Sequence, residues 1–87
     1  MGWVYILKSM SDGRYYIGST TNIKSRIRHH MAGATYSTKR FGKLQLVFSQ
    51  QYGTLQEARS IERKLKKLKR RDYIEKIIAE GIIRMRP

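Results

Sequence analysis

The chain has 87 residues, no cysteine, and 19 Lys and Arg against 6 Asp and Glu, a formal net charge of +13. That length corresponds to one small domain over 1–87, and the absence of cysteine excludes disulfides, cysteine zinc sites and cysteine nucleophiles. The positive charge concentrates polyanions, so nucleic acid, DNA or structured RNA, is the expected partner. With 40% hydrophobic residues the chain has material for one core. No apolar run is long enough for a bilayer and no signal-peptide core is visible, so the expected location is the cytoplasm, with no membrane partner.

In chain order, Trp3 to Leu7 is a short apolar run rich in β-formers and reads as a strand. Lys8 to Gly13 is polar and ends on Asp12-Gly13, a turn signal. Arg14 to Gly18 resumes with Tyr15, Tyr16 and Ile17, which makes the pair an antiparallel hairpin. An even loop puts Tyr5 and Tyr16 on one face of the sheet; an odd loop without a bulge separates them, because side chains alternate with period two. Ser19 to Asn22 carries hydroxyl and amide side chains suited to a helix N-cap. The helix that follows runs to about His30, with Ile23, Ile27 and Met31 as its buried stripe and Arg26 and His30 as a second stripe beside it. Ala32-Gly33 ends it.

Thr35 to Lys43 is a polar, basic loop containing Lys39 and Arg40. Leu44 to Tyr52 reads as a half-buried strand, with Leu44, Leu46, Phe48 and Tyr52 on one parity and Val47 out of step. Thr54 and Glu57 form a capping box ahead of a helix whose core stripe is Ala58, Ile61, Leu65 and Leu68. Cations surround that stripe from Arg59 through Arg63 and Lys66 to Arg71. Asp72 and Glu75 repeat the capping spacing and start a last helix, which Gly81 stops, leaving a short tail. The order β-β-α-β-α-α describes an α+β domain, a small three-stranded antiparallel sheet flanked by helices.

Val4-Tyr5-Ile6 and Tyr16-Ile17-Gly18 resemble the two tripeptides of the GIY-YIG nuclease superfamily, with Val opening the first where the family's opens on Gly. Ser19-Thr20-Thr21-Asn22-Ile23, followed by Arg26 and His30, is similar in type and spacing to the family's second block. Glu62 resembles its metal-binding glutamate. The resemblance runs to about Leu68 and is strongest to small stand-alone bacterial members. It implies cleavage of DNA phosphodiester bonds with a divalent metal, Mg²⁺ or Mn²⁺. Under that resemblance Tyr5 is the general base, Tyr16 orients water or phosphate, Arg26 and His30 hold the phosphate, and Glu62 holds the metal. Ser19 stands where several members carry a lysine.

Each of these residues also has an ordinary reading. Tyr5 and Tyr16 are common strand aromatics, Arg26 and His30 can be solvated helix residues, and Glu62 can be an exposed ion pair with Lys66 four residues on. The functional reading expects Tyr5, Tyr16, Arg26, His30 and Glu62 to line one concave surface, with Lys39, Arg40, Arg59, Arg63 and Lys66 gripping nucleic acid around it. Two functions follow: a metal-dependent endonuclease acting on branched or damaged DNA, or a catalytically weak nucleic-acid-binding module of the same fold.

Overall fold

The structure is a computed structural model that describes residues 1–10, 12–31, 44–68 and 70–86, with residues 29–31 described by backbone alone. Six elements follow in the expected order: β1 (Gly2–Ser9), β2 (Tyr15–Thr20), α1 (Ile23–Met31), β3 (Leu44–Tyr52), α2 (Leu55–Leu68) and α3 (Arg71–Glu80). The strands form one antiparallel sheet in the order β2-β1-β3. β1 is therefore central and covered on both faces, which is why Val4 to Leu7 is apolar without alternation.

Lys8 pairs with Tyr15, so the hairpin loop runs from Ser9 to Arg14 and is even. The Ser9 N–H donates to the Arg14 carbonyl and the Gly13 N–H to the Ser9 carbonyl, with Gly13 at φ 75°. Tyr5 and Tyr16 consequently share a face. That face carries a small cluster of Tyr5, Leu7 and Leu44 under Ile23 and Ile27 of α1. The other carries the main core, in which Val4, Ile6, Ile17 and Phe48 meet Ala58, Ile61 and Leu65 of α2 and Ile74 and Ile77 of α3. Burying each such aliphatic side chain stabilises the fold by about 1.5–3 kcal/mol.

The single parity expected for Leu44, Leu46, Phe48 and Tyr52 does not hold. A bulge takes the pairing from Ile6↔Phe48 to Leu7↔Leu46 and skips Val47. One inserted residue turns the rest of the strand over, so Phe48 joins the main core while Leu44 joins the cluster under α1. Leu46 is left 37% exposed.

The helix signals are local and act locally. Asn22 Oδ1 accepts the Ser25 N–H (3.1 Å) and caps α1. Thr54 Oγ1 accepts the Glu57 N–H (3.1 Å) and caps α2. Gly81 ends α3 in the left-handed region at φ 76°. The basic stretch from Arg59 to Arg71 spans the end of α2 and the start of α3, close to the start expected at Asp72. Arg70 is extended and is the N-cap of α3, and Asp72 pairs with it (2.7 Å) rather than joining a capping box. Leu68, at the end of α2, is 42% exposed and outside the core. The tail also differs from expectation: Ile83 is buried in the main core, and Gln50 accepts its N–H (2.9 Å) and donates to its carbonyl (3.3 Å). Among the described residues no helix is long and apolar enough to cross a membrane.

Candidate active site

Tyr5 stands opposite Gly18 in the β1–β2 pairing. With no side chain at Gly18, the Tyr5 ring lies across it: a Cβ there would fall 2.9 Å from Cε2 and nearer still to Cζ and Oη. The phenol thus crosses the edge strand toward the outer edge of the sheet, with Tyr5 only 2% exposed. Tyr16, two residues before Gly18, projects from the same face and is half-buried. Arg26 comes from α1, which Ile23 and Ile27 pin to that face. The start of α1 is fixed by Thr20, whose Oγ1 accepts the Asn22 N–H (3.2 Å). Thr20, Asn22, Ser25 and exposed Arg26 line a cleft of about 210 Å³.

Glu62 arrives from the other side. It is carried by α2, which packs on the main-core face. Its parity partner on β2 is Ser19, which alternates with Gly18 and points toward α2; the Ser19 hydroxyl donates to Glu62 Oε1. Lys66 Nζ pairs with Glu62 Oε2 at 2.7 Å. The expected single concave face is therefore corrected to a rim. The tyrosines and Arg26 belong to one face, Glu62 to the other, and they converge around the outer edge of β2. The convergence is electrostatic as well. Burial pushes the Tyr5 phenol far above its ordinary range, Tyr16 and Glu62 push it the same way, and the Arg26 guanidinium pulls it down.

Among the described residues no three His, Asp or Glu side chains gather as a metal cage. The oxygen available to a hard cation is the Glu62 carboxylate. One carboxylate with waters and substrate phosphate oxygens is a common donor set for Mg²⁺. Both Glu62 oxygens have partners, but the Lys66 side chain is 54% exposed and its pair with Glu62 is cheap to open. The residues present fit a weakly held Mg²⁺ or Mn²⁺ at Glu62.

Of the residues nominated from sequence, Tyr5, Tyr16, Arg26 and Glu62 are brought together. Arg59, Glu62, Arg63 and Lys66 fall on one stripe of α2, with the three cations exposed. The backbone of His30 is in α1; its side chain, and all of Lys39 and Arg40, lie outside the described residues. Ser19, which stands where several members of the family carry a lysine, ties β2 to Glu62. Its parity with Ile17 was the available signal. A second cleft, beside Tyr16 and Lys66, had no sequence signal that singled it out.

A family model described as the GIY-YIG catalytic domain matches residues 1–76. Set on its tyrosine, the Gly-Ile-Tyr of that name covers Trp3-Val4-Tyr5, one residue earlier than the block quoted above. A UPF0213 protein of Clostridium perfringens is 37% identical over 84 residues, 94% of this chain and 88% of its own length. The UPF0213 protein YhbQ of Escherichia coli is 34% identical over 80 residues, 91% of this chain and 79% of its own. The solution NMR structure of a UPF0213 protein from Bacillus halodurans superposes with a TM-score of 0.57 at 33% identity, covering 93% of this chain and 87% of that one. With its two tyrosines, arginine and glutamate around one strand edge and the family model spanning most of its length, the chain belongs to the GIY-YIG nuclease family.

Proposed function

We propose that this protein is a metal-dependent endonuclease that hydrolyses DNA phosphodiester bonds, with branched or damaged DNA as its substrates. The observation that carries the reading is the convergence of Tyr5, Tyr16, Arg26 and Glu62 at the outer edge of β2, with the Tyr5 phenol within electrostatic reach of the other three. Water is the nucleophile: its oxygen bonds to phosphorus as the bond from phosphorus to the leaving sugar oxygen breaks, and that oxygen takes its proton from solvent. Arg26 presents its planar fork to the phosphate oxygens and stabilises the charge that develops on them. His30, one helical turn on, makes a second phosphate contact. Tyr16, half-buried at the rim, orients the water or phosphate. Tyr5 takes the water's proton; burial opposes formation of its phenolate and Arg26 favours it. Glu62 holds Mg²⁺ or Mn²⁺, which when bound neutralises phosphate charge and makes the water more acidic. Ser19 orients the Glu62 carboxylate. Lys39, Arg40, Arg59, Arg63 and Lys66 grip the flanking backbone.

A second reading is a catalytically weak DNA-binding module, and one observation favours it: both Glu62 oxygens are already engaged. Incubating purified protein with supercoiled plasmid, with Mg²⁺ and then with EDTA, separates the two. Nicking that needs the metal supports the nuclease; folded protein that retains plasmid without nicking it in Mg²⁺ or Mn²⁺ overturns it in favour of the module.

A further inference from the structure

The second cleft, about 460 Å³, is lined on one side by Tyr15, Tyr16 and Ile17 of β2 and shares Tyr16, and Lys66 beside Glu62, with the proposed cleavage site. Its lining is divided by chemistry. Ile17 and Ile74 are buried members of the main core and form an apolar floor. Tyr15 is half-buried beside them. Arg14, Arg70 and Arg71 have side chains more than half exposed, so they form a cationic mouth. The Arg71 guanidinium sits 5.3 Å from the centroid of the Tyr15 ring.

Each of these arginines has a carboxylate neighbour, Asp12 at 3.3 Å, Asp72 at 2.7 Å and Glu75 at 4.0 Å. Such exposed pairs are screened and open at little cost. None of the three carboxylates lines the cleft, so its own charge is positive. An apolar floor, an aromatic wall and a cationic mouth call for a ligand with a flat apolar face and anionic flanks. A nucleotide has that chemistry. The volume is within the range of about 300–1,000 Å³ for ligand clefts. A base stacked inside a duplex cannot enter, whereas an unpaired one can be turned out, at least cost where it is mismatched or bulged.

We propose that this cleft receives an unpaired base of the DNA strand being cut, laid against Tyr15 and the Ile17–Ile74 floor, with its flanking phosphates on Arg14, Arg70 and Arg71. The proposal rests on the nuclease reading for the position of the cut, and it makes an unpaired nucleotide beside the scissile phosphate the feature that selects the substrate.

Binding measured in EDTA tests it without requiring cleavage. The probes are two short, dye-labelled duplexes that differ at one bulged position, which carries a 2-aminopurine base in one and an abasic sugar in the other. Fluorescence anisotropy of the wild-type protein is expected to show about tenfold tighter binding to the bulged base, within the roughly 5- to 150-fold that stacking on an aromatic contributes. Tyr15→Leu, which keeps an apolar side chain, should bring the ratio toward one, whereas Arg71→Ala, a change at an exposed phosphate contact, should weaken binding of both probes and leave the ratio in place. Equal affinity of the wild-type protein for the two probes overturns the proposal, as does a tenfold ratio that survives Tyr15→Leu. Absence of plasmid nicking in Mg²⁺ would count against the nuclease reading and leave this ratio as it was, so the two failures are distinguishable.

Discussion

Replacing Gly18 by Ala tests the seat on which the proposed base rests. The new Cβ would lie 2.9 Å from Tyr5 Cε2 and closer to Cζ and Oη. Carbon atoms settle at about 3.5–4.0 Å, so the ring must retreat by more than about half an ångström. Tyr5 is 2% exposed and packed on Leu7 and Leu44, so retreat disturbs its neighbours. Overpacking of this kind costs about 1–3 kcal/mol. In a chain this size that is a melting-point loss of about 5–20 °C. Removing the ring removes the conflict. In a Tyr5→Ala background the same substitution should gain about 0.5–1 kcal/mol, since Ala is the better strand residue. The double-mutant cycle should therefore show a coupling of about 1.5–4 kcal/mol. Thermal melts of the four proteins measure it, and plasmid nicking by Gly18→Ala should fall sharply because the phenol moves. A Gly18→Ala protein that melts and nicks like wild type would refute the placement of Tyr5 over Gly18.

Glu62→Gln keeps the shape and the bond from Ser19, removes the carboxylate, and should give a folded, DNA-bound protein with nicking reduced by orders of magnitude. Losing the pair with Lys66 costs a few tenths of a kcal/mol, so a folded variant nicking at the wild-type rate would remove Glu62 from the site. Five phosphate contacts, from Lys39, Arg40, Arg59, Arg63 and Lys66, predict an affinity loss of about 500-fold between about 50 and 200 mM salt; a flat titration argues against phosphate-dominated binding. If Tyr5 is the base, its raised pKa keeps the phenolate scarce at neutral pH, so nicking should climb close to tenfold per pH unit across about pH 6–9. A plateau near neutral pH would place the base elsewhere. The same shift carries a stability consequence: the unfolded phenol ionises from about pH 10 while the folded one resists, so stability is full below that value and falls above it. Calorimetry on Tyr5→Phe should show a shallower alkaline limb, with Tyr52, raised by its own burial, retaining part of it.

What could be read from the sequence were features decided within a few residues. The caps at Asn22 and Thr54 and the stop at Gly81 each depend on neighbours along the chain, whereas the even length of the hairpin loop, open from sequence, is fixed by the β1–β2 pairing. The spacing from Tyr16 to Arg26, one strand and one helical turn, is as local as the caps. What could not be read was decided by partners across space. The bulge at Val47 follows from two cores on opposite faces competing for one strand, which a parity count over Leu44 to Tyr52 cannot see. The exposed end of α2 at Leu68, in step with the apolar stripe in sequence, was not visible in its spacing. Glu62 was identified through the family pattern, but its approach from the far face is a property of how α2 packs.

The Gln50–Ile83 clasp has a consequence for where this protein can be cut. The family model stops at residue 76, yet Ile77 and Ile83 belong to the main core, and Gln50 of β3 makes two hydrogen bonds to the Ile83 backbone. The stretch that the family model matches and the stretch that folds cooperatively thus have different ends. Burying two isoleucines contributes about 3–6 kcal/mol, against a total stability of about 5–15 kcal/mol for a typical domain. Trimming the chain to residues 1–76 would remove the strap that closes the core and leave β3 without its anchor.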